Sequence, residues 1–82
     1  MVKQTILLQG DYHHLKRISE IVREASKFQS EMTLYTPVYN KTINLKSILR
    51  LLSLPLQKGA EVTVVAMGTD EQEAITAVVN KL

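Results

Sequence analysis

The chain has 82 residues, enough for one hydrophobic core and no more, and 45% of them are apolar, a globular rather than disordered composition. Ten Lys and Arg against eight Asp and Glu leave a net charge of +2, too slight by itself to indicate nucleic acid. With no cysteine, the chain cannot form disulfides, thiolate metal sites or a cysteine nucleophile, and the stretch from Met1 to Leu8 is too short and polar for a signal peptide or membrane span.

From Val2 to Gln9 the residues are β-prone, with Val2, Gln4, Ile6 and Leu8 on one face of a half-buried strand; Gly10-Asp11 breaks it. Leu15, Ile18, Ile21, Val22, Ala25 and Phe28 then recur at three- and four-residue steps, the buried stripe of a helix that stops near Gln29-Ser30. Asp11 is the nearest good N-cap for it. Glu31 to Tyr35 predicts a second strand, Pro37 to Asn40 the connection of a hairpin, and Lys41 to Leu45 the returning strand.

Ser47 precedes Ile48, Leu49, Leu51, Leu52 and Leu54, a short apolar helix that Pro55 ends. Two turns cannot bury all of these residues, so some must face outward. Gln57 to Ala60 reads as a turn, Glu61 to Met67 as the clearest strand, and Gly68 as its end. The closing helix carries Ile75, Val78, Val79 and Leu82, and Thr69 with Gln72 or Asp70 with Glu73 predicts a capping box at its start. The order β-α-β-β-α-β-α, with helices on one face of a four-stranded antiparallel sheet, predicts a single α+β domain over residues 1–82, an open-faced β-sandwich.

Three features carry candidate chemistry. His13 and His14, the two histidines of the chain, stand where the first loop enters the first helix. Imidazole titrates near neutral pH, and a neutral ring beside helix amides can attack a phosphorus atom, with Lys16 and Arg17 as countercharges for the phosphoryl group gained. The competing reading is a pair of solvated loop residues. A metal site has no third soft ligand, and no cofactor motif is present.

Ser47 is an ordinary N-cap in any case, and its place on an exposed turn also suits a kinase. Outward apolar residues beside it suggest a docking patch for protein. Lys16, Arg17, Arg23, Lys27, Lys46 and Arg50 are most simply a solvated surface; if the first two helix starts adjoin, several of them form one positive rim for an acidic partner.

The stretch Ala25-Ser26-Lys27-Phe28, the run Asn44-Leu45-Lys46-Ser47-Ile48, the following Ser53-Leu54 and the segment Asp70-Glu71-Gln72-Glu73-Ala74-Ile75 resemble the HPr family. Its members are the histidine-containing phosphocarriers of the bacterial sugar phosphotransferase system, and catabolite-repression variants share the pattern. The resemblance covers essentially the whole chain. It implies a phosphoryl group held transiently on Nδ1 of His14, accepted from enzyme I and passed to an enzyme IIA-type domain. It puts the family's regulatory serine at Ser47 and its docking patch at Ile48, Leu49 and Leu52, with Arg50 among them. The default expectation from the chain itself is a cytoplasmic protein that inserts into no membrane, and the resemblance adds an HPr kinase or transcriptional regulator as further partners. A monomer is expected, although an exposed leucine patch is also able to drive dimerisation.

The family usually reads Gly, aliphatic, His, Ala, Arg, Pro around its active histidine. Here Tyr12 replaces the glycine and His13 the aliphatic residue, while Leu15, Lys16 and Arg17 follow the histidine. Lys16 keeps the charge of the family's arginine without its planar fork. The hairpin near Asn40 also carries two extra residues, and Arg50 stands where the family usually has glycine. A second function therefore stands beside the carrier: a divergent adaptor that has lost transfer and binds partners through Ser47 and the short helix. A small regulatory or nucleic-acid-binding domain that shares only the fold is the remaining reading.

Overall fold

The computed structural model describes residues 1–10, 15–54 and 56–82. Seven elements follow in the order β1 (Val2–Leu7), α1 (Leu15–Ser26), β2 (Glu31–Thr36), β3 (Lys41–Asn44), α2 (Ile48–Leu52), β4 (Glu61–Met67) and α3 (Glu71–Val79). The four strands form one antiparallel sheet in the order β1-β4-β2-β3. The expected α+β open-faced architecture is what forms.

Alternation decides which face the helices cover. On β4, Val62, Val64 and Ala66 are buried while Thr63 and Val65 are half-exposed on the other face; β2 alternates likewise through Met32, Leu34 and Thr36. The register brings Met32 opposite Ala66 and Leu34 opposite Val64. Ile18, Ile21, Val22 and Ala25 of α1 and Ala74, Ile75 and Val78 of α3 pack on this surface, joined by Leu45, Leu51, Leu54 and Leu56. The core is thus aliphatic throughout, and burying an Ile, Leu or Val in it contributes about 1.5–3 kcal/mol each before chain entropy is set against it.

Element ends depart from the sequence expectations in informative ways. β1 leaves the regular ladder after Leu7, yet Leu8 stays bonded: its N–H donates to the Ala60 carbonyl at 2.9 Å and its carbonyl accepts from Gly59 at 2.8 Å. The turn before β4 thus extends the sheet where periodicity alone suggested more strand. α1 ends at Ser26, tightening through Lys27 N–H to the Glu24 carbonyl and Phe28 N–H to the Ala25 carbonyl.

Leu15, assigned by periodicity to the buried stripe, is 58% exposed. It is the first residue of α1, and burial along the helix begins at Ile18. The expected roles of Asp11 and Pro55 as helix boundaries fall on residues outside those described.

The start of α3 is built differently from the expected capping box. Asp70 occupies the N-cap position by its backbone, its carbonyl accepting from Ala74 at 2.9 Å, but its side chain makes no cap bond. The carboxylate turns instead to the α1–β2 connection, where it accepts from Gln29 N–H at 2.9 Å, Ser30 N–H at 3.0 Å and the Ser30 hydroxyl. A tertiary clamp offering three donors outweighs a local cap offering one. Gly68 makes it possible: a Cβ there would lie 2.7 Å from the Ser30 Cα, so only glycine lets the two backbones approach.

Candidate functional site

The run Asn44-Leu45-Lys46-Ser47-Ile48 forms the entry to α2, and each member has a physical task. The Asn44 side-chain oxygen accepts from Lys46 N–H at 2.8 Å and its carbonyl from Ser47 N–H at 3.1 Å, which folds the turn. Leu45 is buried and its N–H returns to the Met32 carbonyl at 3.0 Å. The Lys46 ammonium donates to the Phe28 carbonyl at 2.8 Å, tying α2 to the end of α1. Ser47, extended at φ −114° and ψ 111°, caps the helix by accepting from Arg50 N–H at 3.4 Å.

Five residues of α2 then separate into two sets. Leu51 is buried and Ile48 packs partly against the core, whereas Leu49 and Leu52 are 80% and 43% exposed. Arg50 is exposed beside them. The short helix therefore holds itself to the domain by Leu51 and presents Leu49 and Leu52 to solvent, with a cation between them. Leu15 adds exposed apolar surface at the head of α1, a contribution that helical periodicity concealed.

At the head of α1, Lys16 and Arg17 are exposed, and no acidic residue occupies the first turn. Cations at a helix N-terminus run against the macrodipole, an arrangement that favours an anion at that end. Arg17 folds back over the loop after β1, since a Cβ at Gly10 would meet its guanidinium nitrogen at 3.1 Å. The hydroxyl of Ser19 donates to the Lys16 carbonyl at 3.0 Å. His13 and His14 lie outside the described residues.

The starts of α1 and α2, whose adjacency was the condition for a shared positive rim, lie apart. Lys46 is bonded to Phe28 at the far end of α1, and Lys27 pairs with Glu24 at 3.0 Å. The 12 residues of α1 span roughly 18 Å, so Ser47, anchored where α1 finishes, does not adjoin Lys16 and Arg17 at its head.

Charge elsewhere serves the scaffold. The Asp70 carboxyl is held below the ordinary carboxylate range, first by the Ser30 hydroxyl and next by the Gln29 N–H, both of which favour its ionised form. Among the described residues no three metal-ligating side chains cluster, and no helix is long and apolar enough to cross a membrane.

An open-faced α+β sandwich with a basic helix head and a small helix turning leucines outward defines a class of small α+β domains with an exposed apolar and basic surface. Comparison with known proteins narrows the class. The family model described as the PTS HPr component phosphorylation site matches residues 9–82. The phosphocarrier protein HPr of Mycoplasma pneumoniae is 42% identical over 65 residues, covering 79% of this chain and 73% of that protein. HPr-C-His from Thermoanaerobacter tengcongensis superposes with a TM-score of 0.88 at 36% identity, over 98% of this chain and 89% of that one.

Crh, the Bacillus subtilis catabolite-repression protein whose structure is described as a swapped dimer, does so with 0.77 at 34% identity, over 99% and 92%. The chain belongs to the HPr family of the bacterial phosphotransferase system.

Proposed function

We propose that this chain is a phosphocarrier whose phosphoryl acceptor is His14, with Lys16 and Arg17 as the countercharges at the head of α1. The observation that carries the reading is the pair of cations in a first turn without any carboxylate, separated from the histidine by Leu15 alone in sequence and within the stretch matched by the family's phosphorylation-site model. Nδ1 of His14 attacks the phosphorus of a phosphorylated donor, the donor's bond breaks, and the ring carries the group. Lys16, Arg17 and the helix dipole stabilise the charge gained. The next acceptor attacks the same phosphorus and frees the imidazole. Enzyme I is the donor and an enzyme IIA-type domain the acceptor in this reading, and both dock on Leu49, Leu52 and Arg50, with Ile48 supporting them from below.

Ser47 is the regulatory position. A phosphate on its hydroxyl adds about two negative charges at the N-terminus of α2, where the helix amides welcome them, and sets an anion beside the docking leucines. A kinase that reads this turn, or a regulator that reads the phosphorylated form, completes the partner set. The protein works in the cytoplasm in this reading, as a monomer; dimers occur among its structural neighbours.

The test is transfer in vitro. The protein is incubated with enzyme I and phosphoenolpyruvate and followed by intact mass, with His14→Ala as control. An acid-labile phosphate adduct absent from the control is the expected result. No adduct, with enzyme I active on another HPr, would overturn the carrier.

A second reading, an adaptor that has lost transfer, is favoured by one observation: Leu15, bulky and 58% exposed, stands next to the histidine in place of the family's usual alanine. In that case the Leu49 and Leu52 surface binds partners while His14 stays unmodified.

A further inference from the structure

The sheet ends on β3, and a cleft of about 450 Å³ runs along that edge, lined by Lys41, Thr42, Ile43, Asn44, Arg50 and Ser53. The backbone shows which groups of the edge are open. Leu45 bonds inward to Met32, and in an antiparallel ladder alternate residues turn both backbone groups to the same neighbour. Lys41 and Ile43 therefore bond to β2, opposite Thr36 and Leu34, while Thr42 and Asn44 turn theirs outward. The Asn44 carbonyl is taken by Ser47 N–H at 3.1 Å. Among the described residues, the Thr42 N–H, the Thr42 carbonyl and the Asn44 N–H remain for another strand.

Charge says what kind of strand. Ile43 is buried toward the helices, so Lys41 stands on the helix side of the edge, the side to which α2 contributes Arg50 and its C-cap Ser53. None of the six lining residues is acidic, and neither Lys41 nor Arg50 forms an ion pair among the described residues. A second copy of β3 fits poorly, because antiparallel pairing of two such edges would gather two Lys41 and two Arg50 along one seam. A lysine at a short edge is also what protects a sheet from indiscriminate pairing. It protects least against a strand that brings the opposite charge.

We infer that the β3 edge binds an extended acidic segment of a partner protein by strand addition, with carboxylates at alternate positions meeting Lys41 and Arg50. The added strand lies about 4.8 Å beyond β3. It accepts from Thr42 and Asn44 N–H and donates to the Thr42 carbonyl, and its remaining side chains fall on the open face beside Thr42 and Asn44. This surface does not depend on phosphoryl transfer by His14.

The probe is an acetylated and amidated hexapeptide of alternating Glu and Thr, followed by amide chemical shifts of the labelled full chain. The peptide should move the signals of Thr42 and Asn44 saturably, and its affinity should fall severalfold as salt is raised. Lys41→Glu should weaken it about fivefold or more, as expected for an ion pair turned to repulsion. Thr42→Pro removes an outward donor without costing a ladder bond, and should abolish the response.

Should that variant misfold, the same peptide N-methylated on one alternate set of amides and then on the other tests the point on the unaltered protein: one of the two must fail to bind. Three results would overturn the inference: equal binding of an alternating Lys and Thr peptide, undiminished binding of both methylated peptides, or equal response to inorganic polyphosphate, which would show attraction by charge alone.

Discussion

Replacing Gly68 by alanine tests how tightly the α3 start is locked to the α1–β2 connection. The new Cβ would lie 2.6 Å from the Ser30 hydroxyl oxygen and 2.7 Å from the Ser30 Cα, both far inside ordinary contact. The hydroxyl can swing away; the Cα cannot. Ser30 is fully buried, and its N–H and hydroxyl both donate to Asp70, so relief requires the backbone of one connection to move and those bonds to stretch.

Overpacking of this kind costs about 1–3 kcal/mol. For a domain of this size each kcal/mol lowers the melting temperature by roughly 4–8 °C, so a 2 kcal/mol loss corresponds to a fall of roughly 8–16 °C. Thermal and urea unfolding followed by circular dichroism measure it. Ser30→Gly provides the control: it removes the hydroxyl and the Ser30 Cβ but leaves the Cα in place, so Gly68→Ala should remain costly in that background. A melting temperature within about 2 °C of the parent would refute the close-approach argument. Rescue of the penalty by Ser30→Gly would show that the side chain, not the backbone, makes the clash.

Three further outcomes are expected. Lys16→Glu places an acid where the α1 dipole favours one, so stability should rise by about 0.3–1 kcal/mol while phosphoryl acceptance falls; a variant that gains stability and still accepts the group at the parent rate would remove Lys16 from the site. Leu49→Asp should leave the unfolding free energy from urea titration within about 0.5 kcal/mol of the parent and weaken enzyme I binding in calorimetry, whereas Leu51→Ala, on the buried side of the same helix, should cost about 2–4 kcal/mol. Because the Asp70 carboxyl titrates below its unfolded value, its stabilising contribution is complete above that value, about pH 4, and is lost as pH falls through the folded value. Urea midpoints of the parent should therefore drop below pH 4 more steeply than those of Asp70→Asn, and parallel curves would contradict the clamp.

The order of elements, the aliphatic core and the entry to α2 were all legible in the chain. Val62, Val64 and Ala66 alternate, Ile18, Ile21, Val22 and Ala25 recur at helical spacing, and Ser47 stands immediately before an apolar run; each is a local pattern that needs no partner to be recognised. The Asn44-Leu45-Lys46-Ser47-Ile48 run carried the family resemblance before its physical tasks were visible.

Tertiary structure decided what depends on distant partners. Asp70 left its expected cap for Ser30 and Gln29, some forty residues back, because three donors converge there. Leu15 kept its helical phase yet stayed exposed, while Ile18, one turn on, is buried. Lys46 went to Phe28 rather than to a rim with Lys16 and Arg17, as the sheet order sends the chain leaving β3 to the end of the fold where α1 finishes. Periodicity specifies a residue's direction around its own element; only the packing of elements settles what lies in that direction.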